Sequence, residues 1–250
     1  MKRVDMRGAS LIELMVSALL FSLVAAGGMK FLVLQHQWAV RQEDTAEAQQ
    51  QVRAALDFMG RELGLLGFGL PEGDVKILKA AGQEVEFLAN LHAAVARLTE
   101  SVEEGQKRLS IQYENASDQF EQGKTVLVCS LDHCERHALA EDGGIGSLEL
   151  ADGLKSGFPS GITIQIINQV QYALRPGDAA QFKLIRTVDG GGNPVAEGLA
   201  SMEIIYLDRE GRAATAPADI HRIRIHLTAR VARTPDKIRT LESEVYLRNG

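Results

Sequence analysis

The sequence predicts an α+β protein in which a long N-terminal α-helix packs on a mostly antiparallel β-sheet. Two observations lead to this prediction. An apolar segment followed by residues with helical spacing extends to about residue 66, whereas beyond residue 70 the apolar residues alternate with polar ones. An antiparallel sheet often buries only one face, and the apolar stripe of the helix would cover that face.

The composition is that of a globular protein of 250 residues, with 45% hydrophobic and 24% charged residues. The net charge is −6, and no basic patch is large enough to neutralise several phosphates, so we expect no nucleic-acid partner. The basic residues between Arg222 and Arg239 mostly alternate with apolar ones. This alternation indicates the solvated face of a strand.

The N-terminus combines a short basic leader with an apolar segment. Lys2, Arg3 and Arg7 outnumber the one acidic residue of the first eight positions, and no charged residue occurs from Leu14 to Met29. Residues 9–29 are numerous enough for one membrane-spanning helix, which needs about 20 residues. The basic leader places the N-terminus in the cytoplasm and the rest of the chain outside.

Glu13 interrupts the apolar segment. A carboxylate at such a position is costly in a bilayer, and it usually marks a function. Cleavage after Gly8 would create a new α-amine on Ala9, one helical turn from Glu13. The same amine on a neighbouring subunit could also reach Glu13 in a bundle of helices, so that Glu13 sets the stagger between subunits.

Two other interpretations of this segment are open. It could be a secretory signal peptide that is cut near the small residues Ala25, Ala26 and Gly27. It could also be a plain membrane anchor in which Glu13 has no role.

The helical pattern continues beyond the apolar segment. Apolar residues spaced by three and four form one stripe, which comprises Phe31, Leu34, Trp38, Ala48, Val52, Leu56, Met59, Leu63 and Leu66. We expect the helix to end near Gly64, because Gly67, Gly69 and Pro71 follow. The pair Gly27–Gly28 either allows the helix to bend or permits close packing against other helices.

The outer part of the chain contains several segments with strand-like alternation, at 84–88, 109–113, 126–128, 162–166, 170–174, 182–185, 204–207, 223–227 and 245–247. Pro176, Gly177 and Asp178 indicate a turn between two of them and therefore a hairpin. The apolar residues from Leu88 to Val102 have helical spacing, which predicts an inserted helix.

The segment from Gly8 to Leu14 resembles the class III signal of type IV pilins and type II secretion pseudopilins. The resemblance implies cleavage after Gly8 by a prepilin peptidase, methylation of the Ala9 amine, and a role for Glu13 as the fifth mature residue. Ala9 stands where the family usually has Phe. The pilin-like organisation would be a leader at 1–8, a transmembrane and filament-core helix at 9–29, an amphipathic continuation at 30–66, and a periplasmic β-rich domain at 67–250.

Short patterns in the outer domain are similar to those of PilW-type minor pilins, which are related to the J-type pseudopilin. These patterns lie at 109–113, 125–129, 199–206, 222–225 and 245–249. The resemblance implies a subunit that starts from the inner membrane with a periplasmic domain and becomes part of a cell-surface pilus. Its implied partners are the inner membrane, the major pilin, other minor pilins and, in some systems, a tip adhesin. The alternatives are a J-type minor pseudopilin, which neighbouring secretion genes would indicate, and a membrane-tethered ligand-binding domain or enzyme.

The two cysteines, Cys129 and Cys134, are most simply a disulfide if the domain is exported. The alternative is a zinc site that also uses His133 and His137. Two Asp-Gly pairs, at Asp142 and Asp189, are turns or, alternatively, calcium ligands. No motif for catalysis or phosphate binding is present. We therefore expect a structural and interaction protein, not an enzyme, without catalytic residues, cofactor or metal ion.

Overall fold

The computed structural model describes residues 11–177, 181–232 and 234–248, with the backbone alone at 234–236. The described chain forms one helix, α1 (Leu11–Leu63), and two short 3₁₀ turns, Ser117–Gln119 and Pro217–Asp219. Its strands are β1 (Ile77–Ala81), β2 (Glu84–Ala89), β3 (Val95–Leu98), β4 (Arg108–Asn115), β5 (Thr125–Cys129), β6 (Cys134–Ala138), β7 (Ser147–Glu149), β8 (Thr163–Pro176), β9 (Phe182–Val188), β10 (Gly191–Leu207), β11 (Arg222–Val231) and β12 (Thr234–Tyr246).

The predicted α+β class is confirmed, and the helix-on-sheet layout is pilin-like. The main path of the sheet runs β12–β11–β10–β9–β8–β3–β4–β7, while β1, β2, β5 and β6 branch from it through β8. The strand pairs are antiparallel. The chain divides after Glu47 into two compact units.

In the first unit, the helix is exposed around its whole circumference from Leu11 to Trp38. Phe31, Leu34 and Trp38 of the predicted stripe are exposed here, because helical spacing identifies a possible face but not what covers it.

In the second unit, the helix from Ala48 onward is amphipathic and packs on the sheet. Its buried residues are Ala48, Val52, Ala55, Leu56, Met59 and Leu63, which recur at helical spacing. They form one hydrophobic core with side chains of β2, β8, β10 and β11. The helix ends at Leu63, next to the expected end at Gly64, and Gly67 and Gly69 then adopt positive φ angles that favour glycine.

A second hydrophobic core lies between β3, β4, β5, β7 and the first half of β8. Strand β8 takes part in both cores, because Ile164 and Ile166 lie in the second core and Val170 and Tyr172 lie in the first. A third, small cluster contains Leu88, Leu127 and Ile167.

The helix predicted from Leu88 to Val102 is wrong. This segment contains the end of β2, a loop and β3, and its backbone groups pair with β4 and β8. The Asn90 side chain accepts a hydrogen bond from Ala94 N (2.9 Å) and donates one to Ala94 O (3.0 Å), which stabilises the loop. The apolar residues between Leu88 and Val102 come from two strands and the loops beside them, and their helical spacing is coincidental.

The hairpin predicted around Pro176 is confirmed by the pairing of β8 with β9, although Asp178 lies outside the described residues. The next hairpin, β9–β10, has the two-residue turn Asp189–Gly190, with φ angles of 49° and 89°. Both values are positive, as in the type I′ turns that suit the twist of β-strands.

The basic residues of β11 lie on a solvated strand face, as predicted. Ile223 and Ile225 of this strand are buried, whereas Arg224 faces outward between two carboxylates of β12. Its Nε lies 3.2 Å from Glu242 Oε1, and its Nη2 lies 2.8 Å from Glu244 Oε2.

Candidate assembly segment and polar clusters

The N-terminal part of α1 is the strongest candidate for a functional segment. No charge occurs from Leu14 to Met29, and the large apolar side chains there are exposed, including Leu20, Phe21 and Val24. An 18-residue window has a mean hydropathy of 2.0, so this helix is long and apolar enough to cross a membrane. A helix that is apolar all round requires an apolar surrounding, either lipid or other helices.

Glu13 lies near the start of the described part of this helix and is exposed. Gly8 and Ala9 lie outside the described residues. Cleavage after Gly8, methylation of Ala9, and pairing of the Ala9 amine with Glu13 therefore stay predictions.

Cys129 and Cys134 end β5 and begin β6, and they face each other across this hairpin with their Cα atoms 4.2 Å apart. Their sulfur atoms lie at the distance of a disulfide bond. Both pack against the small cluster that contains Leu88 and Leu127.

The alternative zinc site is not assembled by this arrangement. Successive side chains of a strand point to opposite faces, so His137 lies on the face of β6 opposite to Cys134. Consistent with this, Cys134 packs beside Leu70, whereas the His137 ring contacts Glu135 and Asp152. The described residues contain no group of three or more His, Cys, Asp or Glu residues placed to hold a metal ion.

His137 is fully buried and forms the centre of a polar cluster. Its Nε2 lies 2.9 Å from Glu135 Oε2, and its Nδ1 lies 3.2 Å from Asp152 Oδ1. Glu135 also accepts hydrogen bonds from Lys155 N (2.8 Å) and from the hydroxyl of Ser156. The cluster therefore connects β6 to the loop that precedes β8.

These contacts change the acidity of both carboxyl groups. Burial raises the pKa of Glu135, but the hydrogen bonds from Ser156, Lys155 N and His137 together lower it below its usual value. The His137 ring lowers the pKa of Asp152, against a smaller opposing effect of burial. Both carboxylates are thus stabilised in their ionised form by the folded structure.

A Ser–His contact lies beside this cluster. Ser156 Oγ is 2.7 Å from His133 Nε2, but His133 Nδ1 lies 3.1 Å from the Ser130 hydroxyl. The carboxylate that orients the base in a Ser-His-Asp triad has no counterpart at that nitrogen. The His133 ring also stacks on Phe158, with 4.5 Å between ring centroids. These contacts hold the tip of the disulfide hairpin against the neighbouring loop.

Both aspartates considered as calcium ligands accept hydrogen bonds within the protein, Asp189 in the β9–β10 turn and Asp142 in the loop between β6 and β7. Asp142 Oδ1 accepts a hydrogen bond from Gln122 N at 2.8 Å. Asp189 accepts from Gln169 N (2.8 Å) and from Asn168 Nδ2 (2.9 Å), and its Oδ2 also lies 2.8 Å from Lys124 Nζ.

A further cluster joins the helix to the sheet. Glu62 of α1 accepts hydrogen bonds from Arg186 Nε (2.9 Å) and Nη2 (2.5 Å), and from the Tyr172 hydroxyl (2.5 Å). Arg186 Cζ also lies 5.4 Å from the centre of the Phe58 ring. Burial, followed by the contact with Glu62, raises the pKa of Tyr172, and the hydrogen bond to Glu62 raises that of Arg186.

Sequence reasoning did not identify either the Glu62 cluster or the His137 cluster. Glu62 is a charged residue between the buried Met59 and Leu63, which is a weak signal for a partner in the core. No comparable signal marks Arg186, because it lies in a strand whose residues are mostly half-buried.

Comparison with known proteins adds no assignment. No protein-family model matches the chain, and no curated protein matches it.

Proposed function

We propose that this chain is a minor pilin of the PilW type, which inserts into a type IV pilus and takes part in its assembly with other minor pilins. The observation that carries the proposal is the exposed, uncharged helix from Leu14 to Met29, which follows Glu13 and a basic leader that ends in Gly8. Each part of this arrangement has a separate physical consequence.

The apolar helix first anchors the subunit. Leu14 to Met29 would lie in the inner membrane, with the leader in the cytoplasm and the β domain in the periplasm. Because apolar side chains occupy all sides of the helix, the same segment can exchange lipid for the helices of neighbouring subunits when the filament forms.

Glu13 then limits how the helices pack. In an apolar bundle a carboxylate is tolerated when a cation is near, and cleavage after Gly8 supplies the Ala9 amine. The amine of an adjacent subunit would favour one axial stagger over others. The prepilin peptidase would thus generate the charge that assembly requires.

The β domain supplies lateral contacts in this proposal. Helix α1 from Ala48 to Leu63 packs on the sheet, and the bidentate contact of Glu62 with Arg186 stabilises that packing. The surfaces for other minor pilins, the major pilin and a tip adhesin would then lie on a rigid support.

The test compares substitutions at the cleavage site and within the apolar segment. Gly8→Arg should prevent processing, because the peptidase requires a small residue before the cut. Glu13→Ala should be processed at Ala9 but should be largely lost from sheared filaments, whereas Glu43→Ala, on the same helix, should behave like the unmodified protein. Mass spectrometry of the N-terminus and quantification of the subunit in filaments provide the two measurements.

Two results would contradict the proposal. One is a mature protein that begins at a residue other than Ala9. The other is normal incorporation of the uncleaved Gly8→Arg protein into filaments.

A further inference from the structure

A long segment of the chain lies between the two paired strands β2 and β8. Ala89 at the end of β2 faces Asn168 of β8, and Leu88 faces Gln169. Facing residues of antiparallel strands are about 5 Å apart at their Cα atoms. The segment 90–167 therefore begins and ends at neighbouring positions of the β2–β8 pair. We call it the inserted module, and we call residues 48–89 together with 168–248 the platform.

The inserted module and the platform have separate hydrophobic cores. The second core consists entirely of residues from the inserted module, between Ala94 and Ile166. The buried residues of the first core all belong to the platform. A separate small cluster combines Leu88 of the platform with Leu127 and Ile167 of the inserted module.

Two ion pairs also cross the boundary between them. Arg136 of the inserted module pairs with Asp74 of the platform at 2.5 Å, and Lys124 pairs with Asp189 at 2.8 Å. The boundary is also crossed by a hydrogen bond from Asn90 N to Phe68 O (2.8 Å) and by Leu91, which packs against the first core, but each side has its own hydrophobic core. This is the organisation expected of a segment with its own core that is inserted between two paired strands.

The charge distribution follows the same division. The inserted module contains 6 Lys or Arg and 12 Asp or Glu residues, which gives a net charge of −6. All other residues of the chain together contain 21 basic and 21 acidic residues, so their net charge is zero. The entire net charge of the protein thus belongs to the inserted module, and a field of one sign favours partners of the opposite sign.

We propose that the inserted module is a recognition element that binds the basic surface of a partner protein, while the platform and the N-terminal helix are sufficient for assembly. The second half of this statement rests on the proposed function. The first half does not, because it depends on the insertion, the separate cores and the charge of residues 90–167.

The first experiment removes the inserted module from the full-length protein. An Asn-Gly turn replaces residues 90–167 between Ala89 and Asn168, because this dipeptide suits a two-residue hairpin. We expect the platform to stay folded, with the bond after Arg186 resistant to trypsin, and the variant to enter filaments at the level of the complete protein. A folded variant that no longer assembles would show that the platform is insufficient.

A second measurement applies to the complete protein and does not depend on the folding of the deletion variant. Phe158→Ala removes a large side chain from the second core, and Met59→Ala removes one from the first. We expect Phe158→Ala to increase amide hydrogen exchange mainly within 94–166, and Met59→Ala to increase it mainly in 48–63 and 168–231. An equal increase in both regions for both variants would overturn the division into two modules.

The partner is tested with a zero-length carbodiimide, which joins carboxylates to lysine amines. Glu103, Glu104, Glu121 and Glu141 are exposed carboxylates of the inserted module that make no ion pair in the described structure. In membranes that contain the full-length protein, we expect cross-linked peptides that join these residues to lysines of a different protein. Mass spectrometry identifies both peptides.

Substitution of the four glutamates by glutamine should reduce this cross-linking at least about tenfold, while Glu72→Gln on the platform should leave it unchanged. Cross-links that involve only platform carboxylates, or that persist in the fourfold variant, would overturn the assignment of recognition to the inserted module. A normal cross-linking pattern together with a mature N-terminus other than Ala9 would contradict the proposed function alone.

Discussion

At the residue scale, the most consequential contacts are between charged groups that periodicity did not identify. Glu62 connects the helix to β8 and β9, and its two partners are 110 and 124 residues away in sequence. The Glu62 and Arg186 side chains are 13% and 20% exposed, so this pair is largely shielded from water. Loss of one member therefore leaves the other charge in a place where hydration is poor.

We predict that Glu62→Gln destabilises the protein by about 2–3 kcal/mol, because Arg186 loses its bidentate carboxylate. Urea unfolding of the full-length protein in detergent measures this change. Asp57→Asn is the control on an exposed position of the same helix and should change the free energy of unfolding by less than about 0.5 kcal/mol. Equal effects of the two variants would be inconsistent with a stabilising role for Glu62.

The second residue-scale prediction concerns acid. The pKa values of Glu135 and Asp152 are both lowered in the folded protein. The ionised carboxylates therefore stabilise the fold above the usual carboxyl range, and this contribution is lost as the pH falls through their folded pKa values. We expect the free energy of unfolding to decrease between about pH 5 and pH 3.

Glu135→Gln should make this decrease smaller, because one of the two groups no longer titrates. Urea midpoints measured across the same pH range give the comparison. Glu103→Gln, at an exposed position, should keep the original pH dependence. If Glu135→Gln also kept it, the acid sensitivity would have to come from other carboxyl groups.

At the element scale, the hairpin between β9 and β10 shows how a turn and a tertiary contact depend on the same residue. Asp189 has a positive φ angle, and its carboxylate contacts Gln169 N, Asn168 Nδ2 and Lys124. The turn thus fixes the register of two strands and also connects the platform to the inserted module.

We predict that Asp189→Ala destabilises the protein by about 2 kcal/mol, through backbone strain at positive φ and loss of the hydrogen bonds. Asp189→Asn should cost about 1 kcal/mol or less, because asparagine tolerates this conformation and keeps an acceptor for Gln169 N. Thermal unfolding of the two variants gives the order. A smaller loss for alanine than for asparagine would contradict this account.

At the scale of the whole molecule, the chain combines a segment that requires apolar surroundings with a domain that has its own cores. The helix from Leu14 to Met29 leaves its apolar side chains exposed, whereas the β domain buries most of its large apolar residues in two cores. The first part therefore depends on a membrane or on other helices, and the second does not.

We predict that Leu20→Arg reduces stable membrane insertion, because arginine near the centre of a spanning helix costs about 3 kcal/mol. The fraction of protein that resists extraction with alkaline carbonate should fall severalfold. Leu20→Phe is the matched apolar control and should leave this fraction unchanged. Retention of the arginine variant in the membrane would indicate that this segment is not the anchor.

The apolar helix, the α+β class and most of the strands could be predicted from the sequence, because these depend on periodicity within a short segment. The close pairing of Cys129 with Cys134 was also accessible, since only four residues separate them. The helix predicted at 88–102 failed for the same local reason, because spacing in a short segment does not show which strands will pair with it.

Three features could not be predicted from the sequence: residues 90–167 are inserted between β2 and β8, β8 takes part in both cores, and Glu62 contacts Arg186 and Tyr172. Each of these features depends on groups that are far apart in sequence. A pattern of apolar and polar residues shows which face of an element is buried, but it carries no information about which distant side chain lies opposite.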